Sequence, residues 1–119
     1  VALGCSIVRI KPIPKRLLIH IIEYEEFIRD GSFGEEFAPK ETISFVLVQP
    51  KSELKRDSNG EEVQTRGIIF LDSVNTPKFR RLREKSKIRF KEIEFRVVAC
   101  DALYALDPII PHHYEVSVV

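Results

Sequence analysis

Between Lys87 and Val97 the chain alternates with a period of two: Ile88 and Phe90 point one way and Lys87 and Arg89 the other, and Ile93, Phe95 and Val97 repeat the pattern after Lys91-Glu92. A period of two is the signature of a half-buried strand, and two such runs around a short polar break make a hairpin. Lys-Glu lacks the glycine or asparagine that a two-residue turn prefers, so the break is unusual chemistry for a tight turn.

Other segments speak the same language. Leu17 to Phe27, Thr42 to Gln49, Val63 to Asp72 and His113 to Val119 are rich in β-branched and aromatic residues, with prolines at their margins. Gly67 falls inside the third of these and marks a bulge or a close backbone approach. Turn chemistry separates them: Asp30-Gly31-Ser32-Phe33-Gly34 opens a loop running to Pro39, and Asp57-Ser58-Asn59-Gly60 predicts an exposed hairpin tip. Residues 78–86 are too few for an independent helix and are read as a loop or a single helical turn. Five to seven strands with little helical periodicity predict an all-β barrel or sandwich, and the length of 119 residues favours a single small barrel, whose closure removes free strand edges. The expected organisation is an extended N-terminal arm over 1–15 and one β-barrel domain with hairpin loops over 16–119.

Composition narrows the function. Nineteen Lys and Arg stand against 18 Asp and Glu, a formal net charge of +1, so any electrostatic role has to come from local clustering. Cys5 and Cys100 stand far apart, with neither a disulfide framework nor a zinc-ligand spacing, and are expected to be reduced thiols. The start of the chain lacks a signal-peptide pattern, no run is long and apolar enough for a membrane span, and with no Met present the initiator is expected to have been removed before Val1. No membrane partner is expected.

The candidates for chemistry are few. Adjacent strand residues face opposite sides of a sheet, so His112 and His113 are not expected to share a metal, and His20 stands alone. The glutamates Glu23, Glu25, Glu26, Glu35 and Glu36 read as a solvated edge. No phosphate-binding loop, nucleophile elbow or zinc-protease motif occurs, and the expectation is a protein with no catalytic residues, metal or cofactor.

The local anomaly is basic. Lys78, Arg80, Arg81, Arg83 and Lys85 lead a run that continues through Lys87, Arg89 and Lys91, with only Glu84 within it and Glu92 just after it as nearby acids. Such density grips phosphates through counterion release, or else forms a solvated face, or pairs with a neighbour's acidic Glu35-Glu36 or Glu61-Glu62. A DNA channel or an inter-subunit contact is therefore the candidate role for Lys78, Arg80, Arg81, Arg83 and Lys85. The apolar, proline-punctuated start, with Ile7, Val8, Ile10, Pro12, Ile13 and Pro14, suits an arm that packs on another subunit.

Three stretches taken together carry a resemblance: Lys11-Pro12-Ile13-Pro14-Lys15-Arg16-Leu17-Leu18-Ile19-His20, Asp57-Ser58-Asn59-Gly60-Glu61-Glu62-Val63-Gln64, and His112-His113-Tyr114-Glu115-Val116. In that order and spacing, over about residues 9 to 119, the chain resembles the minor capsid protein family of long-tailed phages and prophages of Gram-positive bacteria. That family is similar in size and expected fold to the head-completion, or stopper, proteins of the phage neck. It departs from the family pattern at Lys91-Glu92, where relatives tend to have a glycine turn, and in the basic stretch after Phe79.

The resemblance implies a homo-oligomeric ring, hexameric or dodecameric, at the virion's head–tail interface, made in the host cytoplasm. Portal or adaptor proteins would lie on its head side, tail-terminator or tail proteins on its tail side, and packaged double-stranded DNA along its axis. The competing functions are an adaptor or tail-terminator ring of the same neck, a nucleic-acid-binding β-barrel, and a small hydrolase. The barrel should interleave aromatics with its cations, where only Phe79 and Phe90 are available, and the hydrolase lacks any acid, base or nucleophile set.

Overall fold

A computed structural model describes residues 10–119. Ten strands follow a 3-10 turn at Lys15–Leu17: β1 (His20–Glu25), β2 (Phe27–Gly31), β3 (Gly34–Phe37), β4 (Glu41–Pro50), β5 (Leu54–Arg56), β6 (Glu62–Gln64), β7 (Gly67–Asp72), β8 (Lys87–Phe90), β9 (Ile93–Leu103) and β10 (His113–Val118). Six of them close into an antiparallel barrel in the order β1-β4-β7-β10-β9-β8. Antiparallel closure needs an even number of strands, and the two remaining pairs, β2-β3 and β5-β6, stand off the barrel as separate hairpins. The all-β barrel expected from the sequence is the fold observed.

The interior is filled by Ile22, Tyr24, Ile43, Val46, Ile69, Leu71, Ile88, Val97, Cys100, Val116 and Val118, joined by Leu82 from the basic loop. Burying one such aliphatic side chain is worth roughly 1.5–3 kcal/mol. Ile43 and Val46 are an odd number of residues apart, which strict alternation would send to opposite faces. The strand resolves this with a bulge: His20 pairs with Val46 but Ile22 with Ile43, and Phe45 takes a φ of 53° in the extra position. A second irregularity on β9, where Ser117 pairs with Ala99 and Val118 with Val97, lets both Val97 and Cys100 face the core.

The Lys87–Val97 alternation is a hairpin, with Phe90 opposite Ile93. Lys91 and Glu92 meet the turn's demand directly, adopting φ of 49° and 67°. Asn59-Gly60 sits at the exposed tip between β5 and β6, where Asp57 Oδ1 accepts the N–H groups of Asn59 and Glu61 and Gly60 has a φ of 81°. Gly67 is a close-approach point, since a Cβ there would lie 3.1 Å from the Gln49 carbonyl oxygen.

Several boundaries differ from expectation. The stretch 17–27 is not one strand: β1 ends at Glu25, and Phe27 starts a hairpin with β3, which lies in the segment expected to be loop up to Pro39. The return strand 63–72 is likewise divided at Thr65-Arg66, because Thr65 turns inward to bond the Lys51 carbonyl and the Glu53 N–H. Residues 78–86 are loop, the first of the two readings offered for them.

Candidate assembly surface

The basic loop joins β7 to β8, and its apolar and small residues fix it before its cations do anything. Leu82 and Ser86 are buried, and Phe79 stacks on Tyr114 at 4.8 Å. Ser86 Oγ accepts the Phe27 N–H at 2.9 Å and shares a hydrogen bond of 3.1 Å with the Tyr24 hydroxyl. That hydroxyl also accepts the Arg83 N–H at 2.9 Å. Burial and the neighbouring Glu26 carboxylate push the Tyr24 phenol above its ordinary pKa, against the opposing effect of its hydrogen bonds, so it stays a neutral bridge.

Each candidate cation is then tied to its own chain. Arg83 Nη1 donates to the carbonyls of Phe27 and Ile28 at 2.9 and 3.1 Å. Arg81 donates to the Cys100 carbonyl and lies 5.5 Å from the Tyr114 ring centre. Arg80 Nη2 lies 2.6 Å from Glu41 Oε1, an ionic contact off the line of a directed hydrogen bond. Lys78 reaches the Thr42 carbonyl at 3.3 Å, and the Lys85 ammonium sits 5.4 Å from the Phe27 ring centre. Lys78, Arg81, Arg83 and Lys85 are nonetheless exposed. A guanidinium carries five donors, so one or two anchoring bonds hold the group in place and leave the rest for a ligand.

The arm candidates lie elsewhere. Ile7 and Val8 fall outside the described residues, and Ile10 and Pro14 are exposed. Pro12 and Ile13 are half-buried on the end of the barrel, where the Ile13 N–H donates to Asp72 Oδ1 at 2.9 Å and its carbonyl accepts from Asn75 Nδ2 at 2.8 Å. Among the described residues no hydrogen bond or ion pair joins residues 10–14 to the cations at 78–85.

His112 and His113 do come together, contrary to the expectation from strand alternation. Their Nδ1 atoms are 2.9 Å apart, because His112 precedes β10 and is not bound by its pleat. The outer nitrogens are occupied, His112 Nε2 by the Lys11 carbonyl at 2.6 Å and His113 Nε2 by Glu115 at 2.9 Å. Among the described residues no group of three or more histidines, cysteines or carboxylates is arranged to hold a metal. Cys100 is a buried thiol whose pKa burial raises, the opposite of a reactive cysteine.

Residues 14–118 match a family model described as minor capsid protein. The chain belongs to the minor capsid protein family. The match spans the whole barrel and both hairpins and begins at Pro14, just after the residues held by Asp72 and Asn75. No curated protein and no solved structure matches the chain. Membership in the minor capsid protein family makes it a structural part of a virion. What a minor capsid protein needs from its surface is contact with other chains, and exposed Phe33, Tyr104, Leu106, Ile109 and Ile110 on loops outside the barrel are apolar material for it.

Proposed function

We propose that this minor capsid protein is a ring-forming head–tail connector subunit, a head-completion or stopper protein that joins a phage head to its tail and helps retain packaged DNA. The observation that carries the reading is the state of the basic loop: its exposed cations are individually anchored to backbone carbonyls and ring faces on a rigid barrel. Pre-ordered cations lose little freedom on meeting phosphates, and repetition around a ring axis turns a weak single contact into a collar with steep salt dependence. The arm supports the same reading, because Lys11 and Ile13 are held at the barrel's end by His112, Asp72 and Asn75.

Particle imaging of the virion, locating this chain along the tail axis, tests the placement. Replacing Lys78 and Arg81 together by Gln tests the DNA contact, since this leaves Lys85 and the Arg83 and Arg80 anchors intact. Assembled particles that leak DNA are the expected result. Particles that stay full, or rings that fail to form, count against the channel role and favour an inter-subunit contact for the loop. Deleting residues 1–9 should leave a folded barrel that assembles poorly, and loss of folding would return that segment to the core.

A further inference from the structure

One aromatic ring is presented to solvent in a way the barrel does not use. Gly31 pairs with Gly34 in the β2-β3 hairpin, which leaves Ser32 and Phe33 as its two-residue turn, and Phe33 is completely exposed at the crest. Gly34 returns the chain at a φ of 112° and has open space around it, so nothing shelters the ring. The hairpin beneath is stiff. Phe27 and Phe37 pack edge to face at its root with centres 5.8 Å apart, Arg29 pairs with Glu36 at 2.7 Å, and Arg96 clamps Glu35 through two nitrogens at 2.8 and 3.2 Å. A bare aromatic on a rigid support is the form of an interface anchor, since little order remains to be lost when it docks.

The same molecule carries a concavity of matching size. A cavity of about 410 Å³ opens between the basic loop and the turn at Ser58, floored by Leu82, Phe27 and Cys100 and rimmed by Arg81, Arg83 and Lys85. Pockets of roughly 300–1,000 Å³ hold drug-sized ligands, so this one has room for a benzyl group. Phe27, at the root of the hairpin, lines the cavity, whereas Phe33 stands bare at the opposite end, so the occupant is not the chain's own Phe33.

Charge selects the partner. The hairpin is net negative, with Asp30, Glu35 and Glu36 against Arg29, while the cavity rim holds three cations against Glu84. Glu35 and Glu36 are already engaged within the chain, but Asp30 is exposed, beside the tip, and in no ion pair among the described residues. We infer that Phe33 of one copy seats in the Leu82 cavity of the next, with Asp30 meeting Lys85 at the rim. The contact is head to tail, joining two different patches, and such contacts close into rings when the rotation per copy permits. It rests on the ring reading above and names the surfaces that would build the ring.

The full-length chain tests it by sedimentation and native mass spectrometry. The wild type should assemble in a concentration-dependent way, and Phe33→Ser should assemble about 30-fold or more weakly, the scale of an anchor residue, with its thermal melt unchanged. Ser58→Trp, which crowds the cavity from the other side, should weaken assembly to a similar extent. Asp30→Lys and Lys85→Glu should each weaken it, and the two together should recover it. A wild type that stays monomeric sinks the ring reading and this contact with it. If the wild type forms rings and Phe33→Ser forms them equally well, the contact alone is wrong. Weakening by both charge reversals without recovery in the pair overturns the Asp30–Lys85 pairing.

Discussion

The hydroxyl oxygens of Tyr24 and Ser86, 62 positions apart in sequence, meet at 3.1 Å in the buried core, and each also accepts a backbone N–H, Tyr24 from Arg83 and Ser86 from Phe27. Two side chains thus tie β1, the start of β2 and the basic loop into one network. Removing one hydroxyl leaves a buried N–H without its acceptor, a penalty of about 1–3 kcal/mol. Ser86→Ala and Tyr24→Phe should each lower stability by that amount in urea or thermal unfolding. The double variant should lose less than the sum of the two, because the shared hydrogen bond is lost only once. Strict additivity would show that the hydroxyls act independently.

The anchored arginines should behave differently from their neighbour Lys78. Arg83→Ala removes the donor to two carbonyls and should cost about 1–2 kcal/mol, whereas Lys78→Ala should stay within about 0.5 kcal/mol of the wild type. Equal effects would place both side chains in the same, purely surface role.

The Lys91-Glu92 turn stores strain that chemistry can relieve. Both residues hold the left-handed conformation, which costs ordinary residues roughly 1–2 kcal/mol each and costs glycine little. Replacing the pair by Asn-Gly should raise the melting temperature by several degrees, on the order of 2–4 °C per kcal/mol for larger domains and more for small ones. A lower melting temperature would mean that the Lys91 or Glu92 side chains contribute more than their backbone costs.

His20 introduces a pH dependence of known sign. Its Nδ1 accepts the Val48 N–H at 2.9 Å, and burial, then the charge of Lys91, lowers its pKa below the ordinary 6.5. Between the folded and unfolded values the unfolded chain binds more protons, so stability should fall as pH drops below about 6.5 and level off beneath the folded value. Chemical denaturation at stepped pH should show this slope in the wild type and a reduced one in His20→Asn. An identical slope in the variant would assign the dependence to other groups.

How far the sequence could be read depended on whether a feature was local. The β8-β9 alternation and the Asn59-Gly60 turn are local chemistry, and both were legible. β3 was not, because Gly-Glu-Glu-Phe has no apolar alternation, and the strand is held by the Phe27–Phe37 contact and by Arg96 from β9. The cations of the site could be counted from the sequence, but not their anchors. Arg83 finds its carbonyls 55 and 56 positions away, an accident of the closed barrel that no spacing rule encodes. The His112–His113 contact was not legible for a related reason: His112 lies one residue before β10, where the pleat that sends adjacent strand residues to opposite faces does not hold.

Closure of the six-stranded barrel has a bearing on life among the crowded chains of a virion. In that ring every strand has a neighbour on both sides, so no row of barrel N–H and C=O groups is left to recruit another chain by strand addition. Among the described residues, the two-stranded hairpins β2-β3 and β5-β6 alone keep open backbone edges, and both carry charged side chains along them. A virion protein folded in this way is steered away from sheet-like polymers, and recognition of neighbouring chains falls to side chains and loop shape, which can be tuned without disturbing the barrel.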